Sequence, residues 1–464
     1  MSGLFQGLEL GKRALLANQI SLQTIGHNIA NVNTPGYSRQ RVRITSFYPE
    51  EAPFGAIGTG VMVDDVKHVR DLFLGEQFRQ NSKSLGEWKY KEKILSQIES
   101  LVSEPADNTL SDRLNEFWSS WDTLSQHAES TTNRQAVLGA ATKLINGFQE
   151  LASQLKDLRD SIDNDLVIMT SEVNRYGVEI AHLNQQIKTQ ELGGATANDL
   201  RDIRDQFIDE LSELVDVNTI EDANGQVRVS IGALEIVNGS DTTAIDADAY
   251  IFNQEIKHRL IWEGTSVGIS CRSGELKGLL DARDLIIPKY IEDIDTLAAT
   301  IVEQVNAIHV TGYGLDGSTG NYFFDPDSTT AVSIRLNSEL ELSPDKLAVS
   351  ASGEPGDGDI ALAIQLLRNE RVLVNNSSTI NDFYNGIIGN LGVESHQALS
   401  FAENYELLVH QVDNSRQSVQ GVSLDEEMTN MIKHQHAYDA AARVITVMDE
   451  ALDTVISGMG IVGR

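Results

Sequence analysis

Cysteine is nearly absent from this sequence of 464 residues, since Cys271 is the only one. A single cysteine excludes a disulfide framework within one chain and a zinc site built from cysteines. The residues that follow it, Arg272-Ser273-Gly274, do not resemble the surroundings of a catalytic thiol. We therefore expect Cys271 to be a small buried residue of a core.

Proline and basic residues are also scarce. Only 8 prolines occur, and none lies between Pro105 and Pro288, which leaves room for very long helices. The 36 Lys and Arg residues face 68 Asp and Glu residues, so the formal net charge is −32. Nucleic acids and anionic membranes bind proteins that carry a basic surface, and the charge therefore argues against both as partners.

Long apolar runs are missing as well. The first thirty residues lack the continuous run of roughly seven to fifteen apolar residues that marks a secretory signal. No stretch approaches the roughly eighteen apolar residues of a membrane span. The sequence alone thus predicts a protein that stays in the cytoplasm unless a route independent of a signal peptide exports it. A hydrophobic content of 41% nevertheless allows well-formed cores.

Helical periodicity is clearest near the end of the sequence. Ser423 followed by Glu426 forms a capping box, which predicts that a helix begins there. The apolar residues that follow are spaced as in a coiled coil, on a narrow seam that also contains Gln435 and Asp449: Leu424, Met428, Met431, Tyr438, Ala442, Ile445, Leu452, Ile456 and Met459. A narrow apolar seam of this length needs a partner helix.

A matching seam near the start of the sequence predicts a helix over about residues 3–31. Gly11 and Asn18 complete this seam, whose apolar members are Leu4, Leu8, Leu15, Leu22, Ile25 and Ile29. Both seams are narrow, as in coiled coils, rather than wide, as on helices that face a globular core. We therefore predict that the two helices pair, in either direction. Separate packing of each helix on a core is the alternative.

The interior of the sequence predicts further long helices around a β-rich segment. The longest helix is predicted over residues 133–191, with one extra step of four residues between Ile162 and Leu166, and Pro105 is expected to end an earlier helix. Residues 45–70 are rich in turn-forming residues and predict an extended loop. Near Val217 the apolar period becomes that of strands, and Asn224-Gly225 predicts a hairpin turn.

The predicted fold class is therefore mainly α, with long antiparallel helices in coiled-coil bundles and a small inserted β domain. Because outgoing and returning segments mirror each other, we expect an elongated rod built from discontinuous domains. The expected domains are a terminal helical coiled-coil domain of residues 1–40 plus 423–464, a long-helix bundle of residues 41–216 plus 273–422, and a β-rich insert of residues 217–272.

Catalytic motifs are weak throughout. The Gly-x-Gly-x-x-Gly match at Gly312–Gly317 follows a predicted helix rather than the strand that a dinucleotide site requires. Ser266 lies in a Gly-x-Ser-x-Gly match, but strand-like residues follow it where a helix is needed, so an esterase is only a remote alternative. His434 and His436 point in different directions on a helix and cannot share a metal. We predict no catalytic residue, no cofactor and no metal site, and hence no enzyme.

Two groups of motifs resemble a known family. Asn28-Ile29-Ala30-Asn31 with Thr34-Pro35-Gly36-Tyr37 resembles the N-terminal signature of bacterial flagellar axial proteins, which form the rod, the hook and the hook-associated structures. Residues 37–40, 278–284, 309–324, 421–428 and 435–444 resemble the hook-associated protein 1 family in particular. The resemblance and the two seams together place a subunit interface on the terminal helices and on Asn28, Asn31, Thr34, Pro35, Gly36 and Tyr37.

The resemblance implies a structural protein of the junction between hook and filament, assembled as a ring through its terminal helices. It implies extracellular location after export by the flagellar type III apparatus, without a cleaved signal peptide. Implied partners are other copies of the chain, the hook protein, the next hook-associated junction protein, and an export chaperone on the C-terminal helix. Another axial protein, such as hook protein or flagellin, and a cytoplasmic coiled-coil adaptor remain alternatives. We also expect residues 1–40 and 423–464 to be mobile in the monomer.

Overall fold

One long helix organises the body of the molecule. The computed structural model describes residues 2–52, 55–102, 109–252, 255–374 and 376–459. Helix α4 (Thr131–Glu191) has 61 residues and runs without a break through the extra step of four, as predicted. At about 1.5 Å per residue it spans roughly 90 Å. Helix α3 (Leu110–Gln126) packs antiparallel on its first half, and α5 (Asn198–Leu214) packs antiparallel on its last part.

A second layer of helices packs beside α4. Helices α2 (Leu72–Val102) and α10 (Ile380–Gln420) lie antiparallel, with the ring centroids of Trp88 and Phe401 4.5 Å apart and Arg416 stacked over Phe78. The predicted helix stop at Pro105 lies outside the described residues. The layer is completed by α6 (Glu275–Asp281), a π-helical turn (Ala282–Ile286), α7 (Ile287–His309), α8 (Ser338–Leu342), a 3-10 turn (Pro344–Lys346), α9 (Asp359–Leu366) and a 3-10 turn (Leu367–Asn369).

The π-helical turn directs a charged side chain into the body. Arg283 is buried, and its Nη1 donates to Asp163 Oδ1 at 2.7 Å and to the carbonyl of His258 at 2.6 Å. The His258 backbone N–H also donates to Asp163 Oδ1, at 3.0 Å. Because a buried charge is tolerated only when it is paired and hydrogen-bonded, this arrangement fixes α7 against both α4 and the β-rich segment.

The β-rich segment packs directly on α4. Strands β5 (Val217–Glu221), β6 (Val227–Ile231), β7 (Leu234–Asn238) and β8 (Asp241–Thr242) form an antiparallel sheet in that order, and β9 (Ile245–Phe252) pairs with β10 (Glu255–Trp262). Gly225 has a φ of 76°, which confirms the predicted hairpin turn. Asn184 of α4 donates to the carbonyl of Val227 at 2.8 Å and accepts from its N–H at 3.0 Å. The buried apolar residues of sheet and helices form one continuous core.

The prediction of a loop over residues 45–70 is wrong. Strands β1 (Gln40–Ser46) and β4 (Val61–His68) pair antiparallel, and the short strands β2 (Glu50–Ala52) and β3 (Gly55–Ile57) extend them into an arm. The arm lies along the first helix of the chain, where the Arg13 guanidinium stacks 3.7 Å from the centroid of Phe47. This packing on another element stabilises strands whose own sequence favours turns.

The mainly α prediction is confirmed, with long antiparallel helices and small antiparallel sheets. Cys271 is buried in the core as predicted, and burial raises the pKa of its thiol to about 11. Within the described residues, none of the helices combines the length and the apolar character needed to cross a membrane.

Candidate assembly site at the terminal helix pair

Helices α1 (Ser2–Ala30) and α11 (Leu424–Met459) pack against each other along their length. Gly7 lies beside Met448, Gly11 beside Ile445, and the side-chain Oδ1 of Asn18 accepts from His434 Nδ1 at 2.9 Å. Rising numbers on one helix meet falling numbers on the other, so the pair is antiparallel. The predicted pairing is confirmed, and its direction, which the sequence left open, is now defined. We call α1 and α11 together the terminal helix pair.

Small and polar residues form the α1 side of this contact. Gly11, Ala17 and Ser21 are buried, and a Cβ atom placed on Gly11 would lie 2.8 Å from Ile445 Cγ1. The helices therefore approach closely, because the distance between packed helices depends on the side chains at the contact. The predicted seam shares Gly11, Asn18 and Ile25 with this face. The side chain of Leu4 lies outside the described part of the chain, and the other predicted members are partly buried at its flank: Leu8, Leu15, Leu22 and Ile29.

The α11 side is rotated relative to the predicted seam. The contact face repeats through Glu427, His434, Ala441 and Met448, of which Glu427 and Ala441 are buried. These positions alternate with the predicted members Met431, Tyr438, Ile445 and Leu452, which are partly buried, as is the neighbouring Ala442. The predicted members that are exposed are Leu424, Met428 and Ile456, with exposures of 46%, 57% and 67%. The sequence pattern missed the contact face because two of its positions are polar.

Asn28 is the centre of the hydrogen bonds at the inner end of the pair. Its side chain is buried, and its Nδ2 donates to Glu427 Oε2 and to the carbonyl of Gln40, both at 3.0 Å. Its Oδ1 accepts from the Tyr37 hydroxyl at 2.8 Å and from the Gln40 N–H at 2.9 Å. An asparagine side chain has two donors and can accept twice, so every capacity of Asn28 is used. One residue thereby joins α1, the following turn, β1 and α11.

The turn after α1 has the predicted type. Tyr37 N donates to the Thr34 carbonyl at 3.3 Å and Gly36 has a φ of 75°, as expected of a type II turn with Pro35 and Gly36 at its centre. Asn31 Nδ2 donates to the His27 carbonyl at 3.0 Å, which satisfies a carbonyl at the end of α1. Burial, with the nearby carboxylates of α5 and Glu427, raises the pKa of Tyr37. The hydroxyl therefore stays protonated and available to donate to Asn28.

Residues 38–40 connect the terminal helix pair to the body. Ser38 N donates to Asp202 Oδ2 at 2.8 Å, and Gln40 Nε2 donates to Asp199 Oδ1 at 2.7 Å, both on α5. Arg39 N donates to the Gln420 carbonyl at 2.8 Å, and its guanidinium pairs with Glu426. The predicted capping box is therefore only half formed, since Ser423 accepts from the Glu426 N–H at 3.5 Å while the Glu426 carboxylate turns to Arg39.

A cleft of about 770 Å³ lies between the turn after α1 and the body. The turn residues 31–37 form one wall, and α5 and the end of α10 form the other. Gln206 approaches Gly36 so closely that a Cβ there would lie 2.9 Å from its Oε1. The residues of the signature, Asn28 to Tyr37, thus connect the terminal helix pair to the body rather than forming a catalytic site. We call this connection the joint.

Exposed apolar side chains occur on the outer sides of the terminal helix pair. Leu424, Met428 and Ile432 follow one another at four-residue spacing on α11, and each is at least 46% exposed. We call these three residues the α11 ridge. Further exposed apolar side chains on the pair are Phe5, Leu10, Leu16, Val447 and Ile456. Clustered exposed apolar surface marks interaction sites. Sequence reasoning missed Ile432 because it lies off the heptad seam, although its spacing from Met428 was a usable signal.

The weak catalytic motifs have ordinary structural roles. Ser266 lies in an exposed segment after β10 that is not followed by a helix, so no nucleophile elbow forms. Gly312–Gly317 is a loop after α7, where Tyr313 N donates to the Ser350 carbonyl at 2.8 Å. His434 faces α1 and His436 is exposed, so the two point apart as predicted. Among the described residues, no group of three His, Cys, Asp or Glu side chains is arranged to hold a metal ion.

Three family models match the sequence. Residues 95–324 match the helical domain of the flagellar hook-associated protein FlgK. Residues 8–37, in α1 and the turn, match the flagella basal body rod protein family, and residues 416–458 match the C-terminal region of the flagellar basal body rod FlgEFG proteins. The two rod matches therefore cover the two members of the terminal helix pair.

Known proteins that match this chain over nearly its whole length have the same identification as the family models. Flagellar hook-associated protein 1 of Bacillus subtilis is 33% identical over 510 aligned residues that cover 100% of both chains. The proteins of the same name from Salmonella typhimurium and Escherichia coli are 25% and 23% identical, each over 96% of this chain and 98% of the relative. The structure of the flagellar hook junction protein FlgK from Burkholderia pseudomallei has the same fold, with a TM-score of 0.67, 14% identity, and coverage of 74% of this chain and 100% of that one. The chain therefore belongs to the flagellar hook-associated protein 1 family, whose members are structural components of the bacterial flagellum.

Proposed function

We propose that this protein forms the junction between hook and filament and assembles there as a ring through its terminal helix pair. The observation that carries the proposal is the α11 ridge, which stays exposed although α11 is packed against α1. Burial of a Leu, Ile or Met side chain contributes about 1.5–3 kcal/mol, so a ridge of three such residues is a substantial contact for a neighbouring subunit.

The proposed interface divides the predicted residues by role. Leu424, Met428 and Ile456 contact neighbouring subunits, because they are exposed in the single chain. Ile25, Met431, Tyr438, Ala442, Ile445 and Leu452 hold α1 and α11 together, while Leu8, Leu15, Leu22 and Ile29 lie at the edge of that contact. The joint residues Asn28, Asn31, Thr34, Pro35, Gly36 and Tyr37 set the angle between the terminal helix pair and the body.

The proposed partners follow from the position in the flagellum. The ring contacts the hook protein on one side and the next hook-associated junction protein on the other. Before assembly, an export chaperone covers the C-terminal helix, where the exposed α11 ridge would otherwise promote premature association. The protein then leaves the cell by the flagellar type III apparatus without a cleaved signal peptide and functions outside the cell. Membership of a flagellar family leaves the adaptor alternative without support.

The direct test is to mix the purified protein with isolated flagellar hooks and image the hook ends by electron microscopy. We expect the protein to occupy the distal end and to permit filament growth there when the remaining components are added. Hooks that stay bare, with the added protein still monomeric, would contradict the junction role.

Two substitutions separate contact between subunits from pairing within the chain. Leu424→Asp places a charge on the exposed α11 ridge, so the monomer should keep its helix content and melting temperature while binding to hooks is lost. Ile445→Asp places a charge against Gly11, so both the pairing of α1 with α11 and the binding should fail. Circular dichroism measures helix content and melting temperature, and hook imaging measures binding to hooks. Normal incorporation of Leu424→Asp into hooks would contradict the assigned interface.

A further inference from the structure

The outward face of α10 carries no ionisable side chain over most of its length. One side of this helix packs on α2 through Leu391, Ala398 and Ala402, which are buried. On the opposite side, positions spaced alternately by four and three residues from Gly386 to Ser418 are all uncharged. At about 1.5 Å per residue this face is roughly 48 Å long. We call it the α10 amide seam.

Amide side chains repeat along this seam at intervals of seven residues. They are Asn390, Gln397, Asn404 and Gln411, and all four are exposed. Between them lie Val393 and Leu407, with exposures of 66% and 68%. Heptad spacing of this kind is the pattern by which one helix meets another, and buried amides at such positions fix the register and the choice of partner.

The backbone of the seam is accessible to close approach. A Cβ atom placed on Gly386, at the start of the seam, would meet no other atom within 4 Å. The ionisable side chains of α10 beyond Gly386 lie elsewhere around the helix, and they include His396, Glu403 and His410. The seam is therefore an open, neutral strip bordered by charged residues.

The net charge of the chain indicates which molecule lies on the α10 amide seam. The chain has a formal net charge of −32, so two copies repel each other at most of their surfaces. A long face without ionisable groups is where two such copies can meet with the least repulsion. The seam also ends just before Gly421, and the α11 ridge begins at Leu424, so the two are close in sequence.

We propose that the α10 amide seam is a lateral contact between the bodies of two copies of this chain, in which a long helix of the second copy lies along the seam. Amide side chains then bond across the contact, and Val393 and Leu407 are buried in it. The proposal rests on the proposed ring assembly, and it adds a second interface that holds the bodies together independently of the terminal helix pair.

The test adds charge to the seam without changing its shape. In the triple variant Gln397→Glu, Asn404→Asp and Gln411→Glu, each amide becomes a carboxylate of nearly the same size. The matched control Gln80→Glu, Gln185→Glu and Gln190→Glu adds the same charge at exposed positions on α2 and α4. We expect the seam variant to need a roughly tenfold higher concentration than the wild type to occupy hook ends, because carboxylates would face an acidic neighbour. The control should shift this concentration much less.

Site-specific crosslinking distinguishes a failure of the α10 amide seam proposal from a failure of the proposed junction role. Cys271 is buried, so a cysteine introduced by Asn404→Cys can be labelled selectively with a photoreactive group, and Glu403→Cys provides a control one residue around the helix. We expect crosslinks between copies from position 404 and far fewer from position 403, both on hooks and at high concentration in solution. If the wild type never occupies hooks but position 404 still crosslinks copies in solution, the junction role fails and the seam stands. If hooks are occupied but position 404 gives no crosslink between copies, or crosslinks only another protein, the seam proposal is overturned.

Discussion

At the scale of single residues, buried hydrogen-bonding groups fix the joint between the terminal helix pair and the body. Asn28 bonds to Glu427, to Tyr37 and to both backbone groups of Gln40, and Glu427 is 399 positions away in sequence. Removal of the Asn28 side chain therefore leaves several buried groups without a hydrogen-bond partner at once. Such groups cost far more than the hydrogen bonds themselves contribute, because they have lost water without gaining a replacement.

Asn28→Ala should therefore weaken the attachment of α11 strongly. Each buried group left without a partner costs about 1–3 kcal/mol. Amide hydrogen exchange across α11 measures the effect, and protection should fall first near Glu427. Asn31→Ala is the matched control, since the Asn31 side chain bonds only to the end of its own helix and the following turn. Equal protection in the two variants would contradict the role given to Asn28.

His309 predicts a dependence of stability on pH. It is fully buried, its Nδ1 donates to the Asn321 carbonyl at 2.8 Å, and its Nε2 accepts from Ala348 N at 2.9 Å. The bond from Ala348 N requires the neutral ring, since a protonated Nε2 cannot accept, and burial lowers the pKa of His309 to about 4 from 6.5. The unfolded chain therefore takes up the proton first, so this contribution is fully present above pH 6.5 and is lost as the pH falls toward 4. The loss amounts to about 3 kcal/mol.

Denaturant unfolding of wild type and His309→Gln between pH 7 and pH 4.5 isolates this effect, because carboxylates titrate alike in both proteins. The wild type should lose stability more steeply with acid than the variant does. His127→Gln is a suitable control, since His127 is exposed. Parallel curves for wild type and His309→Gln would exclude the ring as the source.

At the scale of elements, close approach of α1 to α11 depends on glycine. Gly→Ala inside an exposed helix normally stabilises it by up to about 1 kcal/mol. Gly26→Ala should behave in this way, since its Cβ would meet no other atom within 4 Å. Gly11→Ala should instead destabilise the pair, because its Cβ would lie 2.8 Å from Ile445 Cγ1. Thermal unfolding followed by circular dichroism should show opposite shifts, and a gain from Gly11→Ala would contradict the close packing.

The elements also show what sequence patterns reveal and what they miss. Long helices such as α4 and the turn at Pro35-Gly36 were predictable, because heptad spacing and local backbone preference determine them. The register of α1 on α11 was not, because its contact face uses Gly11, Asn18 and Asn28 in place of large apolar residues. Alternation at residues 41–44 predicts the strand found as β1, but β2, β3 and β4 were missed because the arm is stabilised by packing on α1.

At the scale of the whole molecule, the charge of −32 sets how assembly responds to salt. The screening length is about 30 Å at 0.01 M salt and about 10 Å at 0.1 M. Because the proposed contacts are apolar or uncharged, screening should remove repulsion without weakening attraction. The concentration that half-occupies hook ends should therefore fall as salt rises over this range. A rise would indicate that ion pairs across the interface dominate.

The antiparallel contact of α1 with α11 also has a consequence for the order in which the protein is made. The hydrogen bond from Asn28 to Glu427 joins residues 399 positions apart in sequence. The ribosome makes α1 before the helices α2 to α10 and makes α11 after them, so α1 waits unpaired while these helices are translated. A chain that stops early, or is cut anywhere before α11, therefore never forms the helix pair and never presents the α11 ridge. The helix pair can thus form only after the residues between α1 and α11 have been translated.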